Sequence, residues 1–422
     1  MVTVEESYGA NLLQKVYEFV KIRAMAMLSS STSQRISAFY AASFVSYGIH
    51  LPFFPLVLAA RGLDDTAIAV VVAVPMMLRV SFASLLGALA DRLGDRRRAV
   101  TLYAAATLVG ALTLIPAGSF WTLMAATVAL TLPWTGLLPV SDAVATSVAR
   151  RGEGVYGAMR VWGSIGFVVA NLAAGQVAAR GGADAILAFL IFSFALQLAA
   201  TRLLPAAPRE AAETRRVGMG ASFRSLTADR RLMAILAGAA LLQASHAMLH
   251  GFASLHWASL GFSGGTIGAL WAVGVLGEIL LFTFSAPVLA RIGAQGLLVV
   301  AVIGAMVRWS LFPLLGGTAA PWFALQLLHA ATFGATHLGA IHVLTHAVDE
   351  RRAATAQGLM VSINGFVMAL ATLASGPLYG TFGGGAFVAM AGIAVVGGAV
   401  LVFAKGLQPH RAGLGGKSVE PS

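Results

Sequence analysis

Apolar residues in this chain gather into runs much longer than a strand or a half-buried helix requires. They recur near 36–60, 67–90, 99–118, 121–147, 155–179 and 184–204, and again near 232–258, 266–290, 296–316, 321–347, 357–380 and 385–405. Each run approaches the roughly 20 residues with which a helix crosses a hydrocarbon layer about 30 Å thick. Backbone groups in lipid must be satisfied within their own segment, so runs of this length predict helices. The pattern predicts an all-α membrane protein of twelve transmembrane helices. One long polar stretch, 205–231, interrupts the series and carries Pro205, Pro208, Glu210, Glu213, Arg215, Arg216, Asp229, Arg230 and Arg231. It divides the chain into a tail (1–35), a six-helix bundle (36–204), a central loop (205–231), a second bundle (232–405) and a C-terminal tail (406–422).

Composition agrees with the pattern. Apolar residues make up 58% of the 422 residues and charged ones 11%, whereas a soluble domain carries roughly a quarter charged residues to cover its surface. The 47 glycines suit helices packed closely in lipid. Cysteine is absent, which excludes disulfides and thiol chemistry. A formal charge of +11 would point a soluble protein toward nucleic acid, but its distribution assigns it here to a membrane face. With the N-terminus inside, cytoplasmic segments hold 23 Lys and Arg, and the external loops hold only Arg61 and Arg180. By the positive-inside rule both termini are cytoplasmic. The first 34 residues carry Glu5, Glu6, Lys15, Glu18, Lys21 and Arg23 without the apolar core of a secretory signal. They read as a cytoplasmic tail, with Met25 and Met27 as alternative starts.

Charge inside the slab narrows the function. An ionised group at the centre of a membrane helix costs about 3 kcal/mol on insertion scales, so each is a functional candidate. The candidates are Arg79, Asp142, Arg160, Glu278 and Arg308, with histidines 246, 250, 329, 337 and 342. Counted from the hairpin that two helices share, Asp142 and Arg160 reach one depth, about 13 Å in at 1.5 Å per residue. His246 and Glu278 fall together near the midplane, and Arg308 and His329 match each other. Opposite charges at one depth offset each other's desolvation, and a histidine–carboxylate pair exchanges a proton near neutral pH. Asp142–Arg160 also fits a structural ion pair. His246 and His250 have i, i+4 spacing, but no carboxylate or cysteine completes a metal site. Trp162 and Phe167 follow Arg160 and offer ring faces to a solute. Pro52 and Pro55 are expected to break the first helix near its outer end.

A loop signature and five shorter stretches carry a resemblance. Gly87-Ala88-Leu89-Ala90-Asp91-Arg92-Leu93-Gly94-Asp95-Arg96-Arg97-Arg98 resembles the cytoplasmic gating signature of the major facilitator superfamily, with Gly87, Asp91, Arg92 and Gly94 in place and Asp95 where a basic residue is usual. The equivalent stretch Ala286 to Gly293 retains only Arg291 and Gly293. Ser46-Tyr47-Gly48-Ile49-His50-Leu51-Pro52-Phe53, Tyr156-Gly157-Ala158-Met159-Arg160-Val161-Trp162-Gly163-Ser164, Gln243-Ala244-Ser245-His246, Met306-Val307-Arg308-Trp309 and Leu327-Leu328-His329 resemble the branch of that superfamily that contains the lactose permease and the 3-phenylpropionate transporter. The resemblance implies a monomeric carrier holding its solute at the midplane between two six-helix bundles. It implies substrate-binding roles for Asp142, Arg160, Phe167 and Arg308, and proton-coupling roles for Glu278 and His329. Thr332 and Gln326 stand where the permease has a glutamate and a lysine, and the 3-phenylpropionate carrier resembles this chain there, with a histidine on the seventh helix.

These observations together imply a proton symporter for a small aromatic monocarboxylate, resident in a bacterial-type inner membrane. Arg160 or Arg308 would take the carboxylate, with Trp162 and Phe167 as aromatic walls, and Glu278 with His246 or His329 would take the proton. The expected partners are a small solute, a proton and membrane lipid, with no nucleic acid, cofactor or metal. Sugar or nucleoside symport and drug efflux are open alternatives on the same fold. A receptor or scaffold would need a sizeable domain outside the membrane. An enzyme lacks support in any phosphate loop, metal cluster or nucleophile–base pair.

Overall fold

The computed structural model describes residues 30–206 and 219–407, so most of the expected tails and part of the expected central loop lie outside the described residues, while 31–35, expected in the tail, already belong to the first helix. Those residues form helices and no strand: α1 (Ser31–Ala60), α2 (Asp65–Arg92), α3 (Arg96–Leu112), α4 (Phe120–Arg150), α5 (Tyr156–Ala200), α6 (Met219–Ala228), α7 (Arg230–Ala244), α8 (Ala247–Ser259), α9 (Gly264–Thr283), α10 (Ser285–Leu311), α11 (Ala319–His329), α12 (Ala335–Ala347), α13 (Glu350–Phe382) and α14 (Val388–Gly406). Among them, nine segments are long and apolar enough to cross a membrane. Two of the nine are double length, Tyr156–Leu203 with 48 residues and Thr355–Gly406 with 52. The first is interrupted at Gly182, whose φ of 62° takes the chain out of helical geometry. The second passes Gly383, φ 52°, and a short 3₁₀ turn before α14 begins. Large apolar side chains remain on the surface, among them Trp121, Val109, Ile303, Val402 and Phe403, as lipid-facing helices require.

Contacts divide the chain into two units. Among the described residues, one comprises 30–62, 81–206 and 263–272, the other 63–80, 219–262 and 273–407. In the first unit α1 lies along α5, and small residues set how closely. A Cβ on Gly48 would stand 2.6 Å from the Phe167 carbonyl, and one on Gly166 would collide with the Ala41 backbone. Close backbone approach of this kind is how membrane helices associate when lipid is as apolar as the side chains. The prolines differ from expectation: α1 runs unbroken from Ser31 to Ala60 with Pro52 and Pro55 buried inside it.

In the second unit Gly238 and Gly397 bring α7 against α14. Trp257, Trp309, Phe312, Trp322 and Phe387 form a core that is at most 1% exposed, with the Phe312 and Phe387 rings stacked 3.7 Å apart. The span Arg230–Ser259 is not one helix. It breaks at Ser245–His246, where His246 sits at φ −91°, ψ 0°. A wide π-helical turn, Ala330–Gly334, likewise separates α11 from α12.

The gating signature falls on the α2–α3 connection. Gly94 takes φ 70°, a conformation nearly reserved for glycine. Asp95 caps α3, its Oδ1 accepting from the Arg97 amide at 2.9 Å, and it pairs with Arg98 at 3.6 Å. The acidic residue that departs from the signature thus starts the next helix. Gly293 adopts φ 67° inside α10, so the second copy keeps its turn after losing most of its side-chain motif.

Candidate functional site

The ionisable residues form two clusters, one in each unit. In the first, Tyr40 of α1 donates to Asp142 Oδ1 on α4 at 2.6 Å. Arg160 of α5 lays its guanidinium over the Phe44 ring, 4.0 Å from the centroid, with the Tyr40 ring at 5.6 Å. Gly163 makes this possible, since a Cβ there would stand 2.8 Å from Phe44 and 2.9 Å from Arg160. Asp142 and Arg160 belong to one cluster: Tyr40 and Tyr156 both reach the Asp142 carboxylate, which also feels the Arg160 charge, and Arg160 has Phe44 against its face and Tyr156 as a hydrogen-bonding neighbour. A guanidinium held over a ring has five N–H donors, so the bond to Tyr156 leaves others at its edge. Phe167, seven residues beyond Arg160, lies on the same helical face.

Trp162 is not brought to this cluster. It is 200° of helical rotation from Arg160 and shares an exposed stripe with Ile165 and Val169. It is an exposed apolar residue of α5, apart from the Asp142–Arg160 cluster.

The second cluster is buried and continuous. Arg308 of α10 has no exposed surface. Its Nη2 donates to Gln326 Oε1 at 2.6 Å, and its Nη1 donates to Thr332 Oγ1 and meets His329 Nδ1, both at 3.1 Å. The Trp309 ring lies 4.6 Å from the guanidinium carbon. Since Arg308 only donates, His329 Nδ1 must accept, and its other nitrogen carries the hydrogen. That Nε2 faces Glu278 Oε2 at 3.8 Å. His246 completes the network: Nδ1 lies 3.1 Å from the Gln243 carbonyl, which fixes the tautomer, and Nε2 lies 2.8 Å from Thr332 Oγ1. The Thr332 hydroxyl therefore gives its hydrogen to His246 and accepts from Arg308.

The expected pairing of Arg308 with His329 is present. The expected pairing of His246 with Glu278 is replaced by a chain in which His329 meets Glu278 and His246 reaches the same centre through Thr332. The backbone supplies the reach. The break at Ser245–His246 turns the imidazole inward beside Ser245, which accepts from Trp309 Nε1 at 3.2 Å. The π turn holds Thr332 one turn after His329; such turns recur at functional positions. Thr332, Gln326 and Tyr40 were not singled out as site residues in the sequence. Thr332 and Gln326 stood out only as substitutions for charged groups, and nothing in the sequence marked Tyr40. Arg79, His337 and His342 join neither cluster. His250 stands beside the second, its ring 6.4 Å from that of His246. No group of His, Asp and Glu suited to a metal ion occurs among the described residues.

Residues 33–389 match the model of the MFS_1 like family. The chain belongs to that family. It is 31% identical over 364 residues to the probable 3-phenylpropionic acid transporter of Escherichia coli (strain K12), covering 84% of this chain and 93% of that protein. It is 28% identical to the maltose permease of Geobacillus stearothermophilus, over 64% of this chain and 68% of that one. Among solved structures, the nucleoside transporter NupG superposes with a TM-score of 0.79 over 90% of this chain and all of that chain, at 15% identity. A bacterial homologue of the lysosomal transporter Spinster matches with a TM-score of 0.69, over 88% of this chain and 96% of the other, at 16% identity. The MFS_1 like chain is a multi-pass membrane transporter of the major facilitator fold.

Proposed function

We propose that this transporter takes up a small aromatic monocarboxylate together with a proton, by alternating access. The observation that carries the proposal is the Arg308–His329–Glu278 chain, in which a fully buried guanidinium stands one imidazole away from a carboxylate. Away from water, a cation and an anion each offset the other's desolvation. A proton on Glu278 removes the negative charge and leaves Arg308 uncompensated. A substrate carboxylate restores the balance. Proton and anion therefore favour each other's binding, and the doubly loaded and empty carriers have the same net charge here. His329, an acceptor toward Arg308 and a donor toward Glu278, transmits the change. Gln326 and Thr332 hold the guanidinium without adding charge.

Arg160 provides the second anion-binding group. Stacked on Phe44 and half-buried, it can offer two parallel N–H bonds to a carboxylate, with Phe167 on its face for an aromatic ring. The name of the Escherichia coli relative supports an aromatic acid, while that of the maltose permease favours a second reading, sugar symport. With Gly182 and Gly383 read as hairpin turns and Arg96–Leu112 as a span, the chain has twelve transmembrane helices. We place both termini in the cytoplasm of an inner membrane and take the working unit to be a monomer.

Uptake of labelled 3-phenylpropionate, lactose and uridine into vesicles, with and without an inwardly directed proton gradient, separates these readings. The aromatic acid alone should accumulate, and only with the gradient. Accumulation of either neutral solute in its place would overturn the substrate class. Accumulation of the acid independent of the gradient would overturn the coupling.

A further inference from the structure

Apart from the charged cluster, the second unit carries a groove between α7, α10 and α14. It encloses about 460 Å³ and is walled by aliphatic side chains such as Val299, Val302, Ile303 and Val402, with Arg231 and Lys405 at one end. The volume lies in the range of small-ligand clefts. Arg231 is the second residue of α7 and Lys405 lies in the last turn of α14, so both stand on the charge-rich face. Arg231, Ile235, Gln295 and Val343 also line an adjoining hollow of about 700 Å³, whose wall includes His342 and His346. The two spaces share those four residues, so an apolar channel opens into a polar basin. Asp229 also borders the basin, and its Oδ1 is engaged by the Leu232 amide at 3.0 Å as the cap of α7. Among the described residues, Arg231 and Lys405 have no ion-pair partner.

A hydrocarbon channel ending in two uncompensated cations at a membrane boundary complements one kind of molecule. We propose that this groove binds an anionic phospholipid, its phosphate held by Arg231 and Lys405 and one acyl chain laid between α10 and α14. A free phosphate would leave the channel unfilled. A zwitterionic lipid brings its own cation to a site already positive. Basic pockets between helices on the cytoplasmic side are suited to anionic headgroups, each Lys or Arg near the surface contributing about 1 kcal/mol. The site does not depend on which solute the transporter carries.

Native mass spectrometry of the delipidated full chain, titrated with phosphatidylglycerol or phosphatidylcholine, tests this. One phosphatidylglycerol per chain should be retained, with a preference of about 25-fold from the two cations. Arg231→Gln with Lys405→Gln should abolish the preference, and Lys405→Gln alone should lower it about fivefold, a fallback should the double variant not fold. Ala399→Trp, placed in the channel wall, should weaken retention of both lipids without altering charge. Equal retention of the two lipids by the wild type, or an undiminished preference in the charge variants, would overturn the site. Displacement of the lipid by glycerol 3-phosphate as readily as by phosphatidylglycerol would overturn the role of the channel.

Discussion

Arg308 has a pairing that can be tested by subtraction. Removing one member of a buried pair costs about 3–5 kcal/mol, because the other is left uncompensated. Arg308→Gln should therefore lower the melting temperature of the purified protein strongly, and Glu278→Gln in that background should recover much of it. Equal or additive losses would mean the two charges do not sense each other. Around Arg160, Arg160→Lys should raise the apparent KM for the acid roughly tenfold, the worth of one charge-assisted hydrogen bond, whereas Trp162→Phe should leave uptake unchanged. At this scale the sequence disclosed the charged residues, because an arginine or glutamate in a long apolar run has no inexpensive alternative explanation. It did not disclose Thr332, Gln326 or Tyr40. Neutral polar residues commonly satisfy themselves on their own helix, as Thr127 does by donating to the Leu123 carbonyl at 2.7 Å, so their presence in a run carries little signal. Trp162 shows that nearness in sequence does not stand in for helical angle, since it lies 200° around α5 from Arg160.

The elements bring these side chains together through departures from plain helix. The long apolar runs announced helices, and ionisable residues at matched depth announced which helices meet. Neither the break at His246 nor the π turn after His329 was legible, since no glycine or proline marks the first and Gly334, which ends the second, is one of 47 glycines in the chain. Pro52 and Pro55 erred the other way, suggesting a break where neighbouring helices enclose an intact α1. The α1–α5 contact gives a direct test. Gly166→Val must push its side chain into the Ala41 backbone and should cost about 1–3 kcal/mol by overpacking. Gly157, with open space around its missing Cβ, should accept alanine without loss. A similar melting temperature for both variants would show that close backbone approach does not hold α5 against α1.

For the whole molecule, the distribution of Lys and Arg predicts a topology that the absence of cysteine makes easy to measure. In intact cells an impermeant maleimide should label Gly118→Cys, in an external connection, and should reach Glu153→Cys only after the membrane is opened. The reverse pattern would invert the proposed orientation. Fold and family were legible because lipid imposes one element type and because local motifs survive in the chain. The charged members of the network were legible, but the links through Thr332 and Gln326 were not, because those side chains are neutral. Coupling is the property that depends on that network, and the most direct measurement compares two modes of transport in Glu278→Gln vesicles. With the carboxylate permanently neutral, exchange of labelled for unlabelled 3-phenylpropionate should persist while accumulation driven by a proton gradient is lost. Gradient-driven accumulation at the wild-type level in Glu278→Gln would contradict the proposed role of the Arg308–His329–Glu278 chain.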